Sequence, residues 1–417
     1  MKNKITVLII AFFSIIGNTY GQFCTNDNRY TEVPFFDSTE ISVGANITYG
    51  SATDYQGNAY ALKMDIYYPN LTVDPSLKRP FVMLFHGGGF SSGDKQSGDI
   101  KDLCIHLARR GFVCATVNYR LGYDFTEYGQ YKARYRAIQD GHAALRYVIG
   151  NANTIRIDTS WLFVGGQSAG SLLALGMVYA DPDELDSISL LYGTPSISTE
   201  LGNLYTSGNN LTHTYSVKGV FNNWGGVTES EIDLNEMIPT VAFHGALDST
   251  VLIDADNSFL HYSLIGSRAL HNKLIANNIC SELTVDTTGG HGVFRNESSV
   301  FRATRASCFF KRIFCNTCTN FYSTDSIPSH CSLPVGINEH HAELTPEIYP
   351  NPFERSFKID GIDGPYQLNI YSSVGQLVYK KESADGDVEV DLLPSLYFIT
   401  IQQAQSNKIF TAKLIKH

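Results

Sequence analysis

Trp161-Leu162-Phe163-Val164-Gly165-Gly166-Gln167-Ser168-Ala169-Gly170-Ser171-Leu172-Leu173-Ala174-Leu175 is the stretch whose reading decides the fold. One apolar run leads into Gly166-Gln167-Ser168-Ala169-Gly170 and a second leads out, the pattern of a strand, a sharp turn and a helix. In that context a GxSxG motif reads as a nucleophile elbow. The turn strains the serine backbone, and only small neighbours let strand and helix approach so closely. Gly166 and Gly170 supply the missing side chains, and Ala169 adds little bulk. Ser168 is then expected above the sheet, with the Ala169 N–H at the helix N-terminus aimed at a developing oxyanion. The competing reading is a glycine-rich strand–helix turn in some other α/β protein.

Outward from the elbow the same alternation continues. Residues 79–85 form a short apolar run bounded by a proline and by glycines, as a buried strand would be. They run into His86-Gly87-Gly88-Gly89-Phe90. Ile100, Leu103, Cys104 and Leu107 keep helical spacing, Gly111 ends that helix, and residues 112–117 are the next strand. A further helix is expected over much of 131–149. Residues 23–69 read as strands leading into the sheet, 59–68 most clearly. After the elbow helix, residues 181–215 are rich in Gly, Ser, Thr and Asn without a sustained period, which suggests an excursion above the sheet. Strands are expected at 217–224, 238–244 and 282–286, and a helix at 260–278. Strands alternating with helices predict an α/β protein with a mostly parallel sheet covered on both faces.

The chain has 417 residues, 43% of them hydrophobic, which is ample for a large core and suggests more than one domain. A net charge of −10 offers no basic face, so neither nucleic acid nor an anionic membrane is an expected partner. Lys2 and Lys4 precede an apolar stretch at 5–16 and then Gly17-Asn18-Thr19-Tyr20-Gly21. That pattern predicts a signal peptide over 1–21. The stretch falls short of the ~20 apolar residues a spanning helix needs. Export to the periplasm, with a final place outside the cell or on its surface, follows as an expectation. Eight cysteines remain after such cleavage, and an even count in an exported chain suggests disulfides. Four of them lie between Cys308 and Cys331 and are expected to staple the end of the first domain. Cys315-Asn316-Thr317-Cys318 could also be half a zinc site or a redox pair, but no second CxxC follows. Cys104 and Cys114 read as buried thiols.

A serine hydroxyl needs a base, a group to orient that base, and donors for the oxyanion. His86-Gly87-Gly88-Gly89 after an early strand matches an HGGG oxyanion loop, with the N–H groups of Gly88 and Gly89 as donors beside that of Ala169. His86 itself is expected to position the loop. The candidate acid is Asp248, just beyond the strand that ends in Phe243-His244; Asp254 and Asp256 are alternatives further on. Among twelve histidines, His291 in Gly289-Gly290-His291-Gly292 follows the last strand of the domain and completes the order Ser, Asp, His. His244 reads as a hydrogen-bonded structural residue, Asp140 and Asp158 as braces for helices and turns. Phe90, Tyr119 and Trp224 fall near strand ends on the catalytic side and are candidates to line the substrate pocket.

Gly166–Gly170, His86–Phe90, Asn118-Tyr119-Arg120, Asp248 and His291 together resemble the α/β-hydrolase carboxylesterases, nearest to bacterial HGGG esterases that include carbohydrate-acting acetyl and feruloyl esterases. The likeness covers about residues 30–318. It implies the α/β-hydrolase fold, two-step acyl transfer through an acyl-serine with no metal and no cofactor, and a small-molecule or polysaccharide ester as substrate, with short acyl or feruloyl groups. Pro350-Asn351-Pro352, Ile370-Tyr371-Ser372-Ser373-Val374-Gly375 and Leu393-Pro394-Ser395-Leu396-Tyr397 resemble a type IX secretion C-terminal sorting domain. That family usually has glycine where this chain has Ser395-Leu396. The resemblance implies the type IX secretion machinery as a partner. The expected layout is a catalytic domain at 22–322, a polar linker at 323–344, and a small antiparallel β-sandwich at 345–417. Rival readings are an inactive hydrolase-like adhesion or carbohydrate-binding protein and a serine peptidase of the same fold. The first would have lost a triad residue, and the second would carry a large specificity domain.

Overall fold

Arg79–Phe85 is buried along its whole length and is the third strand, β3, after β1 (Ile41–Thr53) and β2 (Ala59–Pro69). Phe81, Met83 and Phe85 enter one core, while Val82 and Leu84 enter another. A strand's side chains alternate between its faces, so an unbroken apolar run means that both faces are covered. The computed structural model describes residues 23–193, 195–256, 264–294, 298–324, 331, 347–360, 366–373, 376–384, 387–403 and 409–417. The expected signal peptide and nearly all of the expected linker lie outside these. The chain divides into two compact units, Met1–Pro334 and Val335–His417.

In the first unit the chain continues with α1 (Gly98–Ala108), β4 (Val113–Val117), α2 (Glu127–Gly150), β5 (Ile157–Gln167) and α3 (Ala169–Tyr179). It goes on through α4 (Pro182–Leu190), α5 (Ile197–Leu201), β6 (Val217–Asn223), β7 (Gly226–Thr228), β8 (Thr240–Gly245), β9 (Ala255–Asp256) and β10 (Leu264–Gly266). It closes with α6 (Ser267–Ala276), β11 (Ser281–Asp286), α7 (Ser298–Phe314) and β12 (Phe321–Thr324). Nine strands form one sheet in the order β1-β2-β4-β3-β5-β6-β8-β11-β12. β1 pairs antiparallel with β2 and β2 with β4, and every later pairing is parallel. β7, β10 and β9 make a small separate sheet. Side chains of α2 and α3 fill the core on one face of the large sheet, and those of α1 and α7 the core on the other. Each large apolar side chain buried this way contributes about 1.5–3 kcal/mol. This is the α/β-hydrolase architecture.

Two expectations change in extent. Of the helix expected at 260–278, residues 260–263 lie outside the described residues, Leu264–Gly266 pairs as a strand with Gly226–Thr228, and α6 follows. The excursion at 181–215 contains two short helices, α4 started by an Asp181–Glu184 capping box with Pro182 at its first position.

In the second unit β13 (Glu347–Tyr349), β14 (Ser356–Asp360) and β17 (Asp387–Glu389) form one antiparallel sheet. β15 (Tyr366–Ser372), β16 (Leu377–Ala384), β18 (Ser395–Gln403) and β19 (Ile409–Lys416) form another, in the order β16-β15-β18-β19. Phe357 and Val388 from the first meet Leu368, Ile370, Ile399 and Leu414 from the second in one small core, a β-sandwich.

Candidate active site

The single residue between β5 and α3 is Ser168, at φ 53 and ψ −125. A non-glycine residue in that region costs roughly 1–3 kcal/mol and persists only where its surroundings impose it. They do so here. The Ser168 N–H donates to the Asn223 carbonyl at 3.0 Å, and its own carbonyl accepts the first amides of α3. Asn223, at the end of β6, also donates from Nδ2 to the Gly166 carbonyl at 2.7 Å. A Cβ on Gly170 would fall against the carbonyls of Phe85 and His86, so strand and helix can cross only over glycine there.

His291 comes five residues after β11. Its Nε2 lies 2.8 Å from Ser168 Oγ and its Nδ1 lies 2.8 Å from Asp248 Oδ2. A carboxylate accepts only, so Nδ1 carries the proton and Nε2 is free to accept the serine hydroxyl. Asp248, on the loop after β8, is held in turn. Its Oδ1 accepts the amides of Thr250 and Val251 at 2.8 and 3.0 Å. Burial alone would raise its pKa, but hydrogen bonds from His244, His291 and these two amides outweigh it and hold the carboxyl well below the usual range.

His244 is the hydrogen-bonded residue that the sequence suggested, and one of its partners is Asp248. Its Nε2 faces both the Val251 carbonyl, at 2.8 Å, and Asp248 Oδ2, at 3.2 Å. Two acceptors at one nitrogen place the proton there, and Nδ1 accepts the Ser267 hydroxyl at 2.7 Å. Two imidazoles thus share one carboxylate oxygen. The position of His244 four residues before the acid, on a strand that ends beside it, was the available signal. The alternative acid Asp254 instead pairs with Arg268, and Asp256 lies in β9.

The HGGG segment curls over the serine. Gly88 has φ +118, and a Cβ there would strike the Ser92 carbonyl. The Gly88 carbonyl accepts the amides of Ser91 and Ser92 at 3.0 and 3.1 Å, which closes the loop on itself. The N–H groups of Gly88, Gly89 and Ala169 donate to no acceptor among the described residues. His86 lies under the loop, with Nδ1 2.7 Å from the Gly87 carbonyl, and burial pushes its imidazole pKa down.

A cavity of about 440 Å³ opens in front of Ser168, lined by Gly88, Gly89, His291, Trp224, Asp99 and Thr250 among others. Of the three expected pocket aromatics, only Trp224 borders it, with the Arg302 guanidinium 5.0 Å from its ring centre. Phe90 and Tyr119 are corrected to core residues. Tyr119 is fully buried, stacks on His86 at 4.4 Å, and donates its hydroxyl to the His86 carbonyl at 2.8 Å. Phe90 is equally enclosed beside Tyr119. Strand-end position marked these rings correctly as near the site, but the backbone turns them inward to hold the loop.

The cysteines form Cys24–Cys315, Cys280–Cys318 and Cys308–Cys331, while Cys104 and Cys114 are buried thiols. Cys315 and Cys318 therefore belong to different bridges and form neither a redox pair nor a zinc half-site. The cluster expected to staple one end instead reaches back to the start of the domain and to β11. Asp140 braces the loop after β4 by receiving the Arg120 amide at 2.7 Å and its Nε at 2.9 Å.

Residues 64–232 match the family model described as BD-FAE, and residues 347–417 match the secretion system C-terminal sorting domain. By these matches residues 64–232 are similar to an esterase-type α/β-hydrolase domain and residues 347–417 to a type IX sorting domain. Such a sorting domain implies secretion or display at the cell surface. Over 189 residues the chain is 28% identical to the neuroligin-like protein glit-1 of Caenorhabditis elegans, covering 41% of this chain and 24% of that protein. Over 119 residues it is 33% identical to the esterase LipI of Mycobacterium tuberculosis, covering 28% of this chain and 34% of that one. The chain thus spans about a quarter and a third of the length of these curated relatives. Among solved structures, a propionate-bound thermophilic esterase from Thermogutta terrifontis is 18% identical, with a TM-score of 0.44 over 64% of this chain and 92% of that one. An inhibited esterase B from Lactobacillus rhamnosis is 17% identical, with a TM-score of 0.43 over 66% and 87%.

Proposed function

We propose that the protein is a secreted serine carboxylesterase that hydrolyses short-acyl or feruloyl esters of carbohydrates through an acyl-serine intermediate. The observation that carries this reading is the unbroken relay Ser168 Oγ, His291, Asp248, with 2.8 Å at both links. His291 Nε2 takes the hydroxyl proton as Ser168 Oγ bonds to the ester carbonyl carbon, and Asp248 steadies the imidazolium that forms. The carbonyl oxygen becomes an oxyanion, received by the N–H groups of Gly88, Gly89 and Ala169. Collapse breaks the bond to the alcohol oxygen, which leaves with the proton from His291. Water then repeats the sequence on the acyl-serine, losing its proton to His291, and releases the carboxylic acid while restoring Ser168. These steps need no cofactor.

A cavity of about 440 Å³ is at the small end for ligand sites and suits short or single-ring acyl groups. Export to where polymers are met favours carbohydrate alcohols. The test is turnover of nitrophenyl esters from acetate to long chains, with feruloyl and acetylated-xylan substrates, by wild type and Ser168→Ala. Loss on the order of 10⁶ in kcat is expected in the variant. A folded Ser168→Ala protein that keeps most of its turnover would overturn the mechanism, and a preference for long-chain lipid esters would overturn the substrate class.

A further inference from the structure

Away from Ser168, the end of β1, the first half of α2 and the short α5 enclose a second cavity, of about 470 Å³. Its charged lining is Asp54, Arg120, Lys132, Arg136 and Glu200. Four of these have polar partners of their own. Arg120 is bonded to Asp140, and Lys132 Nζ lies 2.9 Å from Glu200 Oε1. Asp54, at the exposed rim, receives the amides of Gln56 and Asn58 in its own turn.

Arg136 is different. It is only 5% exposed, yet among the described residues no carboxylate lies within 4.0 Å of its guanidinium. Nη2 donates to the Gly122 carbonyl at 3.0 Å. The remaining guanidinium nitrogens are not among the sealed, partnerless buried atoms, and Arg136 is one of the residues that line the cavity. Burial and the neighbouring Arg120 charge both work against this cation, with Asp140, Glu200 and Asp54 offsetting them from a distance. A buried guanidinium with no direct counter-ion is strongly disfavoured unless an anion completes it.

We propose that this cavity binds an oxyanion, the carboxylate or phosphate group of a small ligand, with Arg136 as its planar fork and Lys132 as a second cation at the mouth. Guanidinium presents paired N–H donors that match such a group two-on-two. Gly122, whose carbonyl holds Arg136, donates its own N–H to the Phe90 carbonyl at 2.8 Å, so one residue links the proposed site to the end of the HGGG segment. The inference concerns a separate site, and its binding readout does not need Ser168 to turn over.

The test titrates the full chain with glucuronate, inorganic phosphate and neutral glucose, following heat of binding and the rise in Tm. At least one anion should bind saturably and raise Tm while glucose does neither. Glucuronate alone would assign the site to a sugar carboxylate, and phosphate alone to a phosphate group. Arg136→Gln should weaken the anion by roughly tenfold or more, the loss expected for a charge-assisted pair. Lys132→Ala changes a surface side chain and should weaken it several-fold, which keeps the test intact if Arg136→Gln does not fold. The proposal is overturned if neither anion binds up to about 50 mM, if glucose binds as well as the anions, or if both variants bind as tightly as wild type.

Discussion

Asp248→Asn separates the orientation of His291 from the architecture around it. Asp248 Oδ1 receives two backbone amides, and an asparagine carbonyl placed there keeps both, so the turn after β8 persists. The new NH₂ then stands where Oδ2 stood, facing His291 Nδ1 and His244 Nε2. Two donors cannot pair with a third. His291 can satisfy the amide only by moving its proton to Nε2, which turns an N–H toward Ser168 Oγ and removes the base. His244 cannot replace it, because its two nitrogens are engaged by Val251 and Ser267. The expected loss is about 10⁴ in kcat, or about 5.5 kcal/mol of barrier at 1.36 kcal/mol per tenfold. Asp248 does not line the cavity, so KM should change little. Initial rates on nitrophenyl acetate with a Tm for each protein are the assay. A folded variant that loses less than roughly tenfold would refute the assigned role of Asp248.

Gly93→Ala should cost about 10² or more in kcat by shifting the oxyanion loop, since Gly93 has φ +112 and a Cβ would fall against the His86 ring and the Gly87 carbonyl. Gly57→Ala, at φ +90 with open space around it, is the control and should leave kcat nearly unchanged. Burial, reinforced by Asp181, Glu231 and Asp233, pushes Glu184 up to about 7 from 4.5. The folded state therefore keeps a proton that the unfolded chain releases, and this stability is complete below about 4.5 and lost as pH rises through 7. Across that window the Tm of wild type should fall relative to Glu184→Gln, and a constant difference would count against it. Removal of residues 345–417 should leave kcat/KM on small esters unchanged, because the sorting domain has its own core, while the protein is no longer released. Lost turnover in the truncated protein would place the boundary elsewhere.

The elbow and the HGGG loop were legible because their chemistry forces unusual local sequence. Glycines at 88, 166 and 170 mark places where a Cβ would meet backbone, and such exclusions leave a direct trace in residue choice. The order of Ser168, Asp248 and His291 was legible for a similar reason, each falling just past a strand of a parallel sheet. What escaped depends on which way a side chain turns. Tyr119 and Trp224 both follow strands, yet one stacks on His86 and the other borders the cavity. The cysteine partners escaped because loops bring distant segments together, and spacing carries no record of that. Arg136 escaped for a plainer reason: on α2 it is one arginine among Arg134, Arg136 and Arg146, and only the structure shows Arg134 paired with Glu231, Arg146 bonded to three neutral oxygens, and Arg136 held by a single carbonyl.

The Cys24–Cys315 bridge joins the beginning of the hydrolase domain to the end of α7, 291 positions apart. Every segment that carries Ser168, Asp248 and His291 therefore lies inside one covalent ring. An extracellular protease that cuts once within that ring opens it without releasing a piece. The nicked enzyme would keep its full mass on a gel run without reductant, and its halves would separate only when thiol is added. Both halves remain tethered around the same core, so a single cut need not silence the enzyme.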